Sequence, residues 1–141
     1  MSKWHVTSGD WETLGSACSA IRKVVFIEEQ NVPQAEEWDG RDPQCLHFLL
    51  HVDDRPVGTA RLLPDGHIGR VAILEEVRSQ GLGLHLMEAT LVAAREAGHH
   101  AVHLDAQTYA IPFYERLGFI AHGDEFLDAN IPHYHMSLYF Q

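Results

Sequence analysis

The sequence has almost no lysine. Lys3 and Lys23 are the only two, and 10 Lys and Arg together face 20 Asp and Glu, for a formal charge of −10 with histidine neutral. So acidic a chain offers no broad cationic stripe to a polyanion, which excludes nucleic acid as a partner. An anionic ligand would need a local device, such as the N–H groups at a helix start joined by one or two arginines. Cysteine is equally scarce: Cys18 and Cys45 have no C-x-x-C spacing, so both are expected to be reduced and half-buried, and neither to be a nucleophile. No run approaches the ~20 consecutive apolar residues of a membrane span. The start, Met1-Ser2-Lys3-Trp4-His5, lacks the charged-then-apolar pattern of a signal peptide, so no membrane partner and a cytoplasmic location are expected. No repeat, low-complexity tract or linker divides the 141 residues, of which 45% are hydrophobic, and one domain over residues 1–141 is expected.

Periodicity supplies the elements. After a short strand near Trp4–Val6, Asp10 can cap a helix whose apolar residues Trp11, Leu14, Cys18, Ile21 and Val25 fall three and four apart, running to about Phe26. The segment Glu28–Asp42, acidic and broken by Pro33 and Gly40, reads as an irregular connection that either lines a site or is solvated. Three strand-like runs, Leu46–Val52, Val57–Leu63 and His67–Ile73, are separated by short turns and predict an antiparallel meander. From Gly83 to Ala97 the period becomes helical, with Leu84, Met87, Leu91 and Ala94 on one face and Gly98 suited to the end. A strand Ala101–Ala106, a helix Ile111–Leu117 and closing strands Phe119–His122 and Tyr134–Phe140 follow. A helix linking His67–Ile73 to Ala101–Ala106 is a right-handed crossover, which makes those two strands parallel in a mixed, mostly antiparallel sheet. The predicted fold is α+β with helices on both faces.

One junction carries chemistry. After the strand ending at Ile73 comes Arg78-Ser79-Gln80-Gly81-Leu82-Gly83-Leu84, leading straight into the long helix. Gly81 and Gly83 let successive N–H groups turn into one concavity, the unpaired N–H groups of the helix start join them, and Arg78 can add a charge-assisted bond. Such a nest suits a pyrophosphate, although two glycines also make an ordinary turn. No Lys-Ser/Thr follows the glycines, which excludes a nucleoside-triphosphate P-loop, and Leu86 stands where G-x-G-x-x-G needs its third glycine.

A second run, Ala110-x-x-Phe113-Tyr114-x-x-x-Gly118-Phe119, follows the first at a distance. Together with Arg78-x-x-Gly81-x-Gly83 it resembles the two signature segments of the GNAT acyl-CoA N-acyltransferases. The flanks Val25-Phe26-Ile27-Glu28-Glu29-Gln30 and Ile131-Pro132-His133-Tyr134-His135-Met136 are similar to its ElaA-type branch, so the resemblance spans nearly the whole chain. It implies a GNAT-like fold with a V-shaped split, acyl-CoA lying between the strands Ile68–Ile73 and Val102–Ala106. The pantetheine arm would bond to the backbone of Val71, Ala72 and Ile73, and the pyrophosphate would lie on Arg78, Ser79, Gln80, Gly81, Leu82, Gly83 and Leu84. Family members commonly have Asn where this chain has Gln107, which puts that contact to the arm one methylene further out. The implied activity is transfer of an acetyl group from acetyl-CoA, as co-substrate, to a primary amine on a small molecule or peptide, with a homodimer as the possible assembly.

That chemistry needs three roles. The resemblance puts the Tyr114 hydroxyl near the coenzyme sulfur as general acid; a core Tyr beside Phe113 is the alternative. Backbone N–H groups where Leu74 ends the strand run are the natural oxyanion donors. Glu28, Glu29, Glu37, Asp39 and His103 are candidates for general base, with Glu29 preferred. Arg61 and Arg70, inside strand runs, are expected to meet carboxylates or to lie at the split. Eleven histidines raise a metal-binding alternative, since His99, His100 and His103 cluster and His133-x-His135 share a strand face. No cysteine lies beside them, so hydrogen-bonded histidines and no metal are expected, with His133 shaping the acceptor end or a dimer contact. A non-catalytic acyl-CoA-binding module is the other alternative to an enzyme.

Overall fold

The computed structural model describes residues 3–141. Strand β1 (Trp4–Gly9) leads to α1 (Trp11–Arg22), whose start is fixed by Asp10: its Oδ1 accepts from the Thr13 N–H at 2.8 Å. The helix does not stop at Phe26. It widens into a π-helical turn over Lys23–Glu29, a form found mostly at functional sites. The acidic connection is more ordered than the irregular segment expected. It holds a single turn of helix, α2 (Gln34–Glu37), and a 3-10 turn (Asp42–Gln44), and both Glu37 and Asp42 are buried.

The meander forms as read. Strands β2 (Leu46–Val52), β3 (Arg55–Leu62) and β4 (Ile68–Ile73) pair antiparallel, with β1 added outside β2, in the order β1-β2-β3-β4. The unbroken burial of residues 47–50 and 57–62 shows that both faces of this sheet are covered. Helix α1 packs against β2 and β3, and α3 (Leu82–Glu96) packs against β1, β2 and β3. The buried stripe of α3 is Leu82, Leu86, Met87, Thr90 and Ala94, whereas Leu84, expected on the inner face, is exposed. Both cysteines are fully buried rather than half-buried; Cys18 sits in the core against the Phe48 carbonyl.

The second sheet has the order β5-β7-β6, with β5 (Ala101–Gln107), β6 (Ile120–Asp128) and β7 (Ile131–Tyr139), and α4 (Ile111–Arg116) packs on β5 and β6. Its closing strands are far longer than the sequence suggested. A bulge between His122 and Phe126, with Gly123 at φ +76°, lets β6 continue through a polar stretch. Ala129 and Asn130, both at positive φ, close a two-residue hairpin that lacks the usual glycine. The two sheets meet at one parallel bridge, His67 with His103, and diverge from there.

Candidate active site

The divergence leaves β4 with a free edge. Leu74 donates its N–H to the Val57 carbonyl at 2.8 Å, and the alternation of an antiparallel ladder then turns Ala72 toward β3 and Ile73 toward the split. Ala72 and Leu74, expected to bond a ligand, thus turn their backbone groups to β3; Val71 and Ile73 turn theirs toward the split, where the Ile73 carbonyl already accepts from Arg78 Nε. A register shift opens between Thr59 and Arg61, and opposite it Arg70 takes φ +52°, a strained value for a residue that carries a side chain and one that recurs at functional sites. The cleft holds about 290 Å³; Phe26 of the π-helical turn, Gln30 just after it, Val71, Gln107, Tyr114 and His133 are among the residues that line it.

Its wall is ionic. Arg22, 1% exposed, donates from Nε to Glu37 and from its terminal nitrogens to Asp42, with its guanidinium between the rings of Trp11 and Trp38. Arg61 bridges Asp42 (3.0 Å) and Asp39 (2.6 Å). Arg70 reaches Glu37 at 3.0 Å and donates to its carbonyl at 3.1 Å. Three arginines therefore meet three carboxylates, as buried charges must. The Arg61 hydrogen bonds hold the Asp39 carboxyl far below its usual range. Burial opposes the same effect at Asp42, but the bonds and charges of Arg22 and Arg61 prevail and lower it. Burial pushes the Glu37 carboxyl up against the pull of Arg22 and Arg70.

At the far end of β4 the chain turns into α3 at Gly81, whereas Gly83, expected to turn the backbone as well, lies inside the helix. Ser79 (φ +66°) and Gly81 (φ +78°) are left-handed, and no side chain caps α3, so its first N–H groups have no side-chain acceptor. Arg78 does not point freely outward. Its Nε donates to the Ile73 carbonyl at 2.9 Å and its terminal nitrogens grip both carboxylate oxygens of Glu29, at 2.6 and 2.9 Å. That grip raises the Arg78 pKa. Glu29 is therefore the partner of the junction arginine and does not line the cleft.

Tyr114 is 8% exposed, edge-on to Phe113 and Phe119 at 5.0 and 5.9 Å, and lines the cleft. Burial, followed by the charge of Tyr109, raises its phenol pKa well above the ordinary value. No hydrogen bond to its hydroxyl forms among the described residues. Gln107, at the end of β5, donates its amide to Gln30 at 2.9 Å and so ties β5 to the π-helical turn across the split.

A family model for an acetyltransferase (GNAT) domain matches residues 18–140. The chain belongs to the GNAT acyltransferase family. YjcF of Bacillus subtilis, named as an uncharacterized N-acetyltransferase, is 39% identical over 120 residues, 82% of this chain and 86% of that one. ElaA of Escherichia coli superposes with a TM-score of 0.86 at 30% identity, over 94% of this chain and 98% of that one. An acyl-CoA N-acyltransferase from Pseudomonas aeruginosa gives a TM-score of 0.85 at 32% identity, over 96% and 99%.

In this GNAT chain the remaining candidates have other partners, although Glu37 lines the cleft. Glu37 and Asp39 are saturated by guanidinium groups. His103 bonds Ser137 Oγ at 2.8 Å and lies tilted against His67 at 5.5 Å, while His122 bonds the same hydroxyl at 2.9 Å. His135 pairs with Asp105 at 2.6 Å. Among the described residues no group of three metal-ligating side chains comes together. The residues that the sequence failed to suggest are Arg22, Asp42 and Gln30. Arg22 carried a signal, since it lies four residues after Cys18 and beside Ile21 on the apolar stripe; Gln30 carried none.

Proposed function

We propose that this acyltransferase moves an acetyl group from acetyl-CoA to a primary amine of a small molecule or peptide by direct attack. The observation that carries the proposal is the free edge of β4 at the mouth of a split whose far end is the uncapped start of α3. Val71 and Ile73 would bond the pantetheine arm as an added strand does. The N–H groups from Ser79 to Leu84, with Gly81 kinked and Gly83 bare, would receive the pyrophosphate. Arg78 can serve it by leaving Glu29. Gln107, already donating to Gln30, has its carbonyl available to the arm.

At the thioester, the amine nitrogen forms a bond to the acetyl carbon as the carbon–sulfur bond breaks. Tyr114 suits the departing sulfur: burial keeps its phenol protonated, and its hydroxyl has no competing partner among the described residues. Two measurements test the proposal. Acetyl-CoA at about 100 times its dissociation constant should stabilise the chain by ~2.7 kcal/mol. A panel of amines should then release free coenzyme thiol; stabilisation with no release from any amine would leave a coenzyme-binding module instead of an enzyme.

A further inference from the structure

One ring nitrogen in the cleft has no use in the fold. His133 stands in β7 directly opposite Gln107 of β5, is 8% exposed, and lines the cleft together with Tyr114 and Val71. Its Nδ1 lies 2.6 Å from the Ile131 carbonyl oxygen. A carbonyl only accepts, so Nδ1 carries the proton of the neutral ring, and Nε2 keeps a lone pair that no described residue bonds. Phe126 lies against the ring at 5.7 Å and 26°, which holds its plane. A buried, oriented imidazole that lines the cleft and keeps one nitrogen unbonded by any described residue has the form of a proton acceptor.

The carboxylates that could compete are otherwise engaged. Glu29 is held by Arg78, Glu37 and Asp39 by the arginine cluster, and Asp105 by His135. Glu36 and Asp128 also line the cleft but are solvent-exposed.

We infer that His133 is the general base of the transfer, acting through Nε2, which rests on the acetyl-transfer proposal above. The acceptor arrives as an ammonium ion. Nε2 takes one proton from it, directly or through one water, and the neutral amine attacks. The carbon–nitrogen bond forms, the carbon–sulfur bond breaks, and the sulfur takes the Tyr114 proton. The new amide nitrogen gives up its second proton, which restores Tyr114, and the imidazolium releases its own to solvent. One proton is freed per turnover.

The test uses the full chain and thiol release with the amine panel from pH 6 to 9. In H133N the Asn amide can still donate to the Ile131 carbonyl, so the fold is kept while the basic nitrogen is lost; H133A removes both. Both variants should hold acetyl-CoA within about twofold of wild type by calorimetry and release thiol about 100-fold more slowly at pH 7. The deficit should close as pH rises and more acceptor is already free base, and added imidazole should restore part of the H133A rate. A deficit that stays constant with pH, or none, overturns the proposal. So does a pH-closing deficit in H67N or H135N with H133N intact, since His67, Arg70, Asp105, Tyr114 and Asp128 are among the ionisable groups that line the same cleft and His135 stands two residues along β7. A wild type that binds acetyl-CoA but releases no thiol removes the transfer proposal and this role together, whereas an active wild type matched by H133N removes this role alone.

Discussion

Tyr114 shows how one side chain can be both packing and chemistry. Its ring belongs to the aromatic cluster with Phe113 and Phe119, so the ring alone accounts for its burial, but the hydroxyl has no structural employment. Tyr114→Phe deletes one oxygen and leaves the ring contacts. Coenzyme affinity and melting temperature should stay near wild type while turnover at saturating substrates falls about 10²-fold or more; steady-state kinetics beside calorimetry check this, and unchanged turnover ends the acid role. The distinction was visible in the sequence only through resemblance, because the spacing of Phe113 and Tyr114 is equally that of a core helix. The arginines were more legible. Arg61 and Arg70 in strand runs had to find carboxylates, and they did, but which carboxylates depended on how residues 37 to 42 fold over the sheet. No local pattern encodes that. Glu29 shows the reverse case: a carboxylate beside the right segment whose partner, Arg78, lies 49 residues away.

At the scale of elements, α3 matters most at its first turn. An added Cβ at Gly83 would meet Phe113 at 3.5 Å and Ile73 at 3.9 Å, which is ordinary contact, so the bare position is not demanded by the fold. Gly83→Arg should therefore leave a folded chain whose side chain crowds the junction. Calorimetry should find acetyl-CoA binding lost or weakened at least 100-fold, with the urea midpoint little changed; intact affinity would remove the junction from the coenzyme site. The strands β2 and β5 were readable almost to the residue, and α1 at its start. Those that depend on long-range pairing were not: β6 runs on through Gly123 and β7 starts before Tyr134, at Ile131-Pro132, because each is held by its neighbour across the ladder. The π-helical turn escaped for a similar reason, since a one-residue change of winding leaves the apolar spacing nearly intact.

For the whole molecule, the buried ion cluster makes acid the natural denaturant. Asp39 and Asp42 are lowered in the folded chain, so their contribution is present above the unfolded carboxylate value near pH 4 and is lost as pH falls through the folded values. Glu37, raised by burial, works against this. Melting temperature should drop steeply below about pH 4, and Asp39→Asn should start lower and lose less on the same descent; a variant as acid-sensitive as wild type would place the effect elsewhere.

The single bridge between His67 and His103 has a consequence for how this protein keeps to itself. A strand edge with open amides and carbonyls is an invitation to any other extended chain, and proteins commonly close such edges with lysine, which this sequence hardly has. Here the opening is a wedge between β4 and β5 with the His67–His103 bridge at its apex, and the segment after the π-helical turn is clamped across it by Gln30 to Gln107. The angle between the two sheets leaves room along β4 for a slender arm and shields this edge from a full foreign strand.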